Sequence, residues 1–136
     1  MELTMGIRAQ VEALVRDVKA GRFVEAIEAN YADDASSHES TGIETLGKPA
    51  LLAKERNFLT TVEKWNVIEA TSVLVDGHMA AIHWKFELTR AGRRIKLEEV
   101  ALQRWNGEGA NARIVQEQYF AFPPGSTPMP EAKKAG

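Results

Sequence analysis

The sequence predicts an α+β fold: a cone-shaped barrel made of a curved antiparallel sheet, with three N-terminal helices packed on its concave face. Three observations lead there. Apolar residues recur at helical spacing through the N-terminal half, then at every second position through the C-terminal half. Two dipeptides with turn chemistry, Asp76-Gly77 and Ala91-Gly92, cut the alternating stretch into hairpins.

In chain order, Ile7, Val11, Leu14, Val15 and Val18 share one face of a helix over about 4–20, with Thr4 as N-cap and Gly21 as stop. A shorter helix over about 22–30 buries Phe23, Ala26 and Ile27, with Tyr31 at the end of its stripe. Asp33-Asp34 ends it; residues 35–40 read as a short strand and 41–47 as a turn-rich loop. Lys48-Pro49 opens a third helix whose Leu51, Leu52, Phe58, Leu59 and Val62 are free to pack. Four strands follow, broken near 77, 92 and 108. The stretch 123–136 is rich in Pro and lacks periodicity, so it reads as a disordered tail behind a folded domain of residues 1–122.

Hairpin arithmetic then places individual side chains. Ala80, Ile82, Trp84, Phe86 and Leu88 form the inward face of one strand. With Ala91-Gly92 as a two-residue turn, Leu88 faces Ile95, Phe86 faces Leu97, Trp84 faces Glu99 and Ile82 faces Ala101. A carboxylate, Glu99, therefore lands on the apolar side. With Asp76-Gly77 as the other turn, Glu69 comes opposite Trp84 and joins the inward set, near the rim with Thr71, where solvation is its expected fate. The last strand carries apolar groups on both faces, Val115, Glu117, Tyr119 and Ala121 against Ile114, Gln116, Gln118, Phe120 and Phe122, so alternation does not orient it.

A chain of 136 residues has the length of one domain, enough to bury roughly two-thirds of its unfolded surface. Cysteine is absent, which removes disulfides, thiolate nucleophiles and zinc-thiolate sites. No stretch approaches the ~20 apolar residues of a membrane span, and the start lacks a basic region followed by an apolar run. The expectation is a soluble cytoplasmic protein with no membrane partner. A net charge of −2 with interspersed signs offers no field for nucleic acid. Three scattered histidines lack metal spacing, and no glycine-rich phosphate loop or nucleophile elbow occurs, so neither metal nor cofactor is implied.

The string Tyr31-Ala32-Asp33-Asp34-Ala35, preceded by Gly21-Arg22-Phe23-Val24-Glu25-Ala26-Ile27 and followed by Gly47-Lys48-Pro49-Ala50-Leu51, resembles the nuclear transport factor two-like superfamily, in its SnoaL-like branch near ketosteroid isomerase. Arg113-Ile114-Val115 leading into Glu117-Gln118-Tyr119-Phe120 looks like the last strand of that group, and the resemblance covers about residues 5–122. It implies that Glu39 stands where the isomerase holds its catalytic carboxylate, and that Glu117 and Tyr119 face inward. The isomerase's oxyanion hole, built from a tyrosine and a protonated aspartic acid, has no counterpart, since this chain offers Leu14 or Val15 and Ala101 there.

Candidate site residues follow from both lines of reading. Glu39 is a candidate general base, its pKa raised by an apolar cavity. Glu99 and Glu117 would be a carboxyl pair sharing a proton, with Tyr119 as hydrogen-bond donor. His38 joins only if its strand is bulged, since a regular strand points it away; His83 and His78 read as surface residues. Trp65, Trp84 and Phe86, with Leu97 and Ala101, would form the wall for a small hydrophobic molecule. Val100, Leu102, Phe120 and Phe122 would lie on the convex face as a homodimer surface, a pairing that the resemblance also implies. The expected activity is that of a cofactor-free isomerase or polyketide cyclase, moving a proton on an apolar carbonyl compound. The alternatives are a ligand-binding or dimerisation module without chemistry, and a dehydratase or hydrolase that uses His38 with a carboxylate.

Overall fold

The computed structural model describes residues 6–123. Three helices, α1 (Arg8–Lys19), α2 (Phe23–Asn30) and α3 (Lys48–Thr60), pack against strands β1 (Tyr31–Glu39), β2 (Glu44–Leu46), β3 (Lys64–Asp76), β4 (Met79–Arg90), β5 (Arg93–Asn106) and β6 (Arg113–Phe122). They form one sheet in the order β2-β1-β6-β5-β4-β3. The sheet is open and mixed rather than wholly antiparallel, because β1 pairs with β6 in parallel while every other neighbour is antiparallel. The loop expected at 41–47 contains β2, which hydrogen-bonds to β1. The expected Thr4 cap and nearly all of the proposed tail lie outside the described residues; α1 starts at Arg8 with no side-chain cap.

The core lies between the helices and the concave face. Val11 and Leu14 of α1, Ala26 of α2 and Leu51 of α3 pack against Ile82, Trp84, Ala101, Trp105 and Ile114. Ile82, Val11 and Ile114 are wholly buried, so truncating either isoleucine to Ala would cost about 2–5 kcal/mol.

Bends in the sheet come from residues inserted out of register. In β3, Trp65 pairs with Leu88 and Ile68 with Phe86, then Ala70 with Trp84 and Val73 with Ile82. Inward side chains are thus three apart at two places, near Asn66 and Thr71, and each such bulge curves the strand. A third irregularity sets Trp105 opposite Ile114 but Gln103 opposite Glu117, so both Ile114 and Glu117 face inward from β6.

The β4–β5 register is the expected one, with Trp84 opposite Glu99. Its turn has positive φ at Ala91 (50°) and Gly92 (74°), the geometry of a tight two-residue hairpin. The β3–β4 hairpin differs. Asp76 pairs with Met79, so Gly77-His78 makes the turn; the bulge at Thr71 then sets Glu69 opposite Lys85, where it is exposed, which corrects its inward facing and agrees with its expected solvation.

On the convex side, Phe120 is exposed, whereas Val100, Leu102 and Phe122 are half-buried; Leu74 is the more exposed group there. His83 is not a surface residue. It is buried together with Glu98, and its Nε2 lies 2.7 Å from a Glu98 carboxylate oxygen. No described helix is long and apolar enough to cross a membrane.

Candidate functional site

Between the helices and the sheet lies a cavity of about 290 Å³. Leu14, Val18, Phe23, Ala26 and Ile27 line its helical side, and Trp65, Trp84, Phe86 and Leu97 its sheet side. The aromatic wall is continuous. Trp65 stacks on Phe23 at 4.7 Å between centroids and meets Phe86 edge-on at 5.7 Å, and Phe86 stacks on Trp84 at 5.5 Å. Ala101 is buried in the core and does not line the cavity.

Polar groups enter from four elements. Parallel pairing sets Ser37 beside Glu117 and Glu39 beside Tyr119, and side chains two apart on a strand share a face, so all four point inward. His38, between Ser37 and Glu39, points the other way. Its ring nitrogens meet Ser36 Oγ at 3.1 Å and a Glu44 carboxylate oxygen at 3.1 Å, so β1 has no bulge that would bring it into the cavity.

Glu117 is the hub. The hydroxyls of Tyr31 and Tyr119 both donate to its Oε1, and Gln103 Nε2 donates to Oε2 at 2.7 Å. Trp105 Nε1 donates to Gln103 Oε1 at 3.0 Å, which fixes the amide so that its NH2 faces the carboxylate. Burial pushes the Glu117 carboxyl up, and the three donated hydrogen bonds pull it part of the way back. Burial and the charge of Glu117 raise both tyrosines well above the usual phenol range, so they remain donors.

Glu99 stands on the same wall without a hydrogen bond from any described residue. Burial first, then the charges of Glu117 and Glu55, push it up to about 7, with Lys54 opposing. Glu55 of α3 is also raised, by burial and by Glu117. Lys54, its neighbour, is half-exposed and pairs with Glu39. Glu39 therefore does not sit in apolar surroundings as expected; it belongs to an ion pair on the cavity lining.

The cavity thus brings together Glu39, Glu99, Glu117, Tyr119 and the three expected aromatics, and leaves out His38 and Ala101. Sequence reading missed Tyr31, Gln103, Lys54 and Glu55. Gln103 was signalled, because it continues the inward parity of Glu99 and Ala101. Glu55 was not, because a charged residue on a helix also fits a solvated face.

No protein-family model and no curated protein matches the sequence. Solved structures do. A protein from Mesorhizobium loti described as a SnoaL-like polyketide cyclase superposes with TM-score 0.71 at 25% identity, covering 85% of this chain and 98% of that one. An NTF-2 like protein from Burkholderia xenovorans gives 0.68 at 21% identity over 90% and 87%. A protein with a ketosteroid isomerase-like fold from Catenulispora acidiphila, in complex with trimethylamine, gives 0.65 at 15% over 80% and 82%, a likeness of fold alone. The fold is a cone-like α+β sheet enclosing a polar-centred cavity. It is the fold of the nuclear transport factor two-like superfamily, with SnoaL-like and ketosteroid isomerase-like proteins among its neighbours.

Proposed function

We propose that the protein is a cofactor-free enzyme that transfers a proton on a small carbonyl compound, in the manner of an isomerase or cyclase. The observation that carries this reading is Glu99, a carboxyl group with no hydrogen-bond partner among the described residues, facing an aromatic-walled cavity and poised near neutral pH. A base with a pKa near the working pH combines a useful ionised fraction with useful basicity.

In this reading, the Glu99 carboxylate takes a proton from the carbon next to the carbonyl. The electron pair moves to the carbonyl oxygen, and the protonated Glu99 returns the proton at another carbon. The enolate oxygen needs a donor. Tyr119 lies at the cavity surface with its hydroxyl on Glu117 and 3.5 Å from that of Tyr31. Rotation of the Tyr119 O–H away from Glu117, which keeps the Tyr31 and Gln103 donors, turns that hydroxyl to the substrate oxygen. Glu39, already held by Lys54, is assigned to the charge pair rather than to proton abstraction, which revises its expected role as base.

The test is hydrogen–deuterium exchange at the α-carbons of flat cyclic ketones and lactones in D2O, followed by proton NMR. Catalysed exchange should rise with pH through about 7 as Glu99 ionises, and Glu99→Gln should slow it by at least ~100-fold. Undiminished exchange in Glu99→Gln removes the assignment.

A further inference from the structure

The charges in the cavity are unbalanced. Its lining carries four carboxyl groups, Glu39, Glu55, Glu99 and Glu117, against one ammonium, Lys54. Lys54 is engaged by Glu39, and Glu117 is enclosed by Tyr31, Tyr119 and Gln103. What remains is Glu55 on the helix side and Glu99 on the sheet side. Neither is hydrogen-bonded to or ion-paired with a described residue, and both face the same space. The wall beside them is Trp65, Phe86 and Trp84, extended by Phe23 and Phe58.

These features distinguish among ligand charges. An anion would add a like charge to an enclosed acidic space, and a neutral apolar molecule would cover Glu55 and Glu99 while pairing neither, which strands two polar groups. A cation pairs both. Aromatic faces add to this, since their negative quadrupoles attract alkylated ammonium groups that a carboxylate alone binds no better than water does.

We propose that the cavity binds an apolar ammonium compound, its cationic head between Glu55 and Glu99 and its body against the Trp65–Phe86–Trp84 wall. The proposal rests on the reading of this cavity as a small-molecule site, not on the reaction assigned to it. Where both hold, the substrate is a carbonyl compound that carries a protonated or quaternary amine.

A consequence is proton release on binding. The ionisable groups around the ammonium position are Lys54 and Glu55 from α3, Glu39 and Tyr31 from β1, Glu99 from β5, and Glu117 and Tyr119 from β6; α1, α2, β3 and β4 contribute apolar lining. Glu99, raised to about 7, and Glu55, also raised by burial, are the two carboxyl groups facing the ammonium position that an arriving cation would drive to ionise. Affinity for the cation should therefore fall as pH drops below 7.

The experiment needs no turnover. Phenyltrimethylammonium and tert-butylbenzene have one shape and differ in charge; benzoate supplies the anion. Titrations of the full chain are followed by tryptophan fluorescence at pH 8 and pH 5. The cation should bind at least about tenfold more tightly than the neutral isostere at pH 8. That preference should shrink at pH 5 and vanish in the Glu55→Gln/Glu99→Gln double variant, in which neutral binding persists. Equal affinities, a tighter benzoate complex, a preference retained by the double variant, or no cation binding at millimolar concentration overturns the proposal. Because it is a binding measurement, its failure leaves the deuterium-exchange test of the reaction standing.

Discussion

Glu98 and Glu99 are consecutive on β5 and meet opposite fates. Glu98 points to the convex side, where the His83 imidazole lies 2.7 Å away and both side chains are 3% exposed. Glu99 points to the concave side, where no described residue hydrogen-bonds to it. One strand therefore carries a carboxyl group that the fold has satisfied and one that it has left to the cavity. An acid buried with its partner contributes to structure, whereas a half-buried acid with no partner among the described residues is a standing cost that a ligand or a reaction relieves.

The sharpest way to break this comparison is the pH dependence of stability, to which Glu99 should contribute. The Glu99 carboxyl is raised from 4.5 to about 7 by folding, which corresponds to about 3 kcal/mol between its protonated and ionised forms. Between those pH values the folded state binds more protons than the unfolded state. The contribution is thus fully present below about 4.5 and is lost as pH rises through 7. Glu99→Gln, which holds no charge, should unfold at higher denaturant than wild type at pH 8 and show a flatter profile from pH 5 to 8. A variant less stable than wild type at pH 8 would mean that Glu99 has a partner in the folded protein.

On the other face, Glu98→Ala should destabilise. It leaves the buried imidazole of His83 without its acceptor, beneath the Phe122 ring at 5.6 Å, for a loss of about 1–3 kcal/mol in urea unfolding. Deuterium exchange per folded molecule should stay near the wild-type rate, because neither residue lines the cavity. A large fall in exchange with stability intact would reverse the roles given to the two faces.

How these two residues read in the sequence shows what alternation can and cannot supply. The β4–β5 register was legible because Ala91-Gly92 is a turn that accepts positive φ at both positions, and that register alone puts Glu99 opposite Trp84. The β3–β4 register was not, because Asp76-Gly77 and Gly77-His78 are both plausible turns one residue apart. The bulge at Thr71 then moves the apolar set by one position, so Glu69 faces out. His83 read as surface because it alternates with inward residues; its burial depends on Glu98 and Phe122, which are distant in sequence. For the same reason α3 gave no sign of Glu55, since what makes a helical carboxylate a cavity residue is the sheet facing it.

The smallest effect concerns the carboxylate between these extremes. Glu39 has a cavity position like Glu99 and a side-chain partner as Glu98 has, but that pair is partly open, with side-chain exposures of 27% for Glu39 and 44% for Lys54. An exposed pair contributes about 0–1 kcal/mol, so Glu39→Gln should barely move the unfolding midpoint. Its effect on exchange should stay below about tenfold, since it removes no group that the reaction uses and changes only the field around Lys54. That outcome separates two assignments that sequence position cannot. If Glu39 is the base, as its place on β1 suggested, Glu39→Gln abolishes exchange and Glu99→Gln spares it; if the unpaired acid is the base, the two variants trade places. Assaying both at pH 8, where Glu99 is mostly ionised, gives the largest contrast.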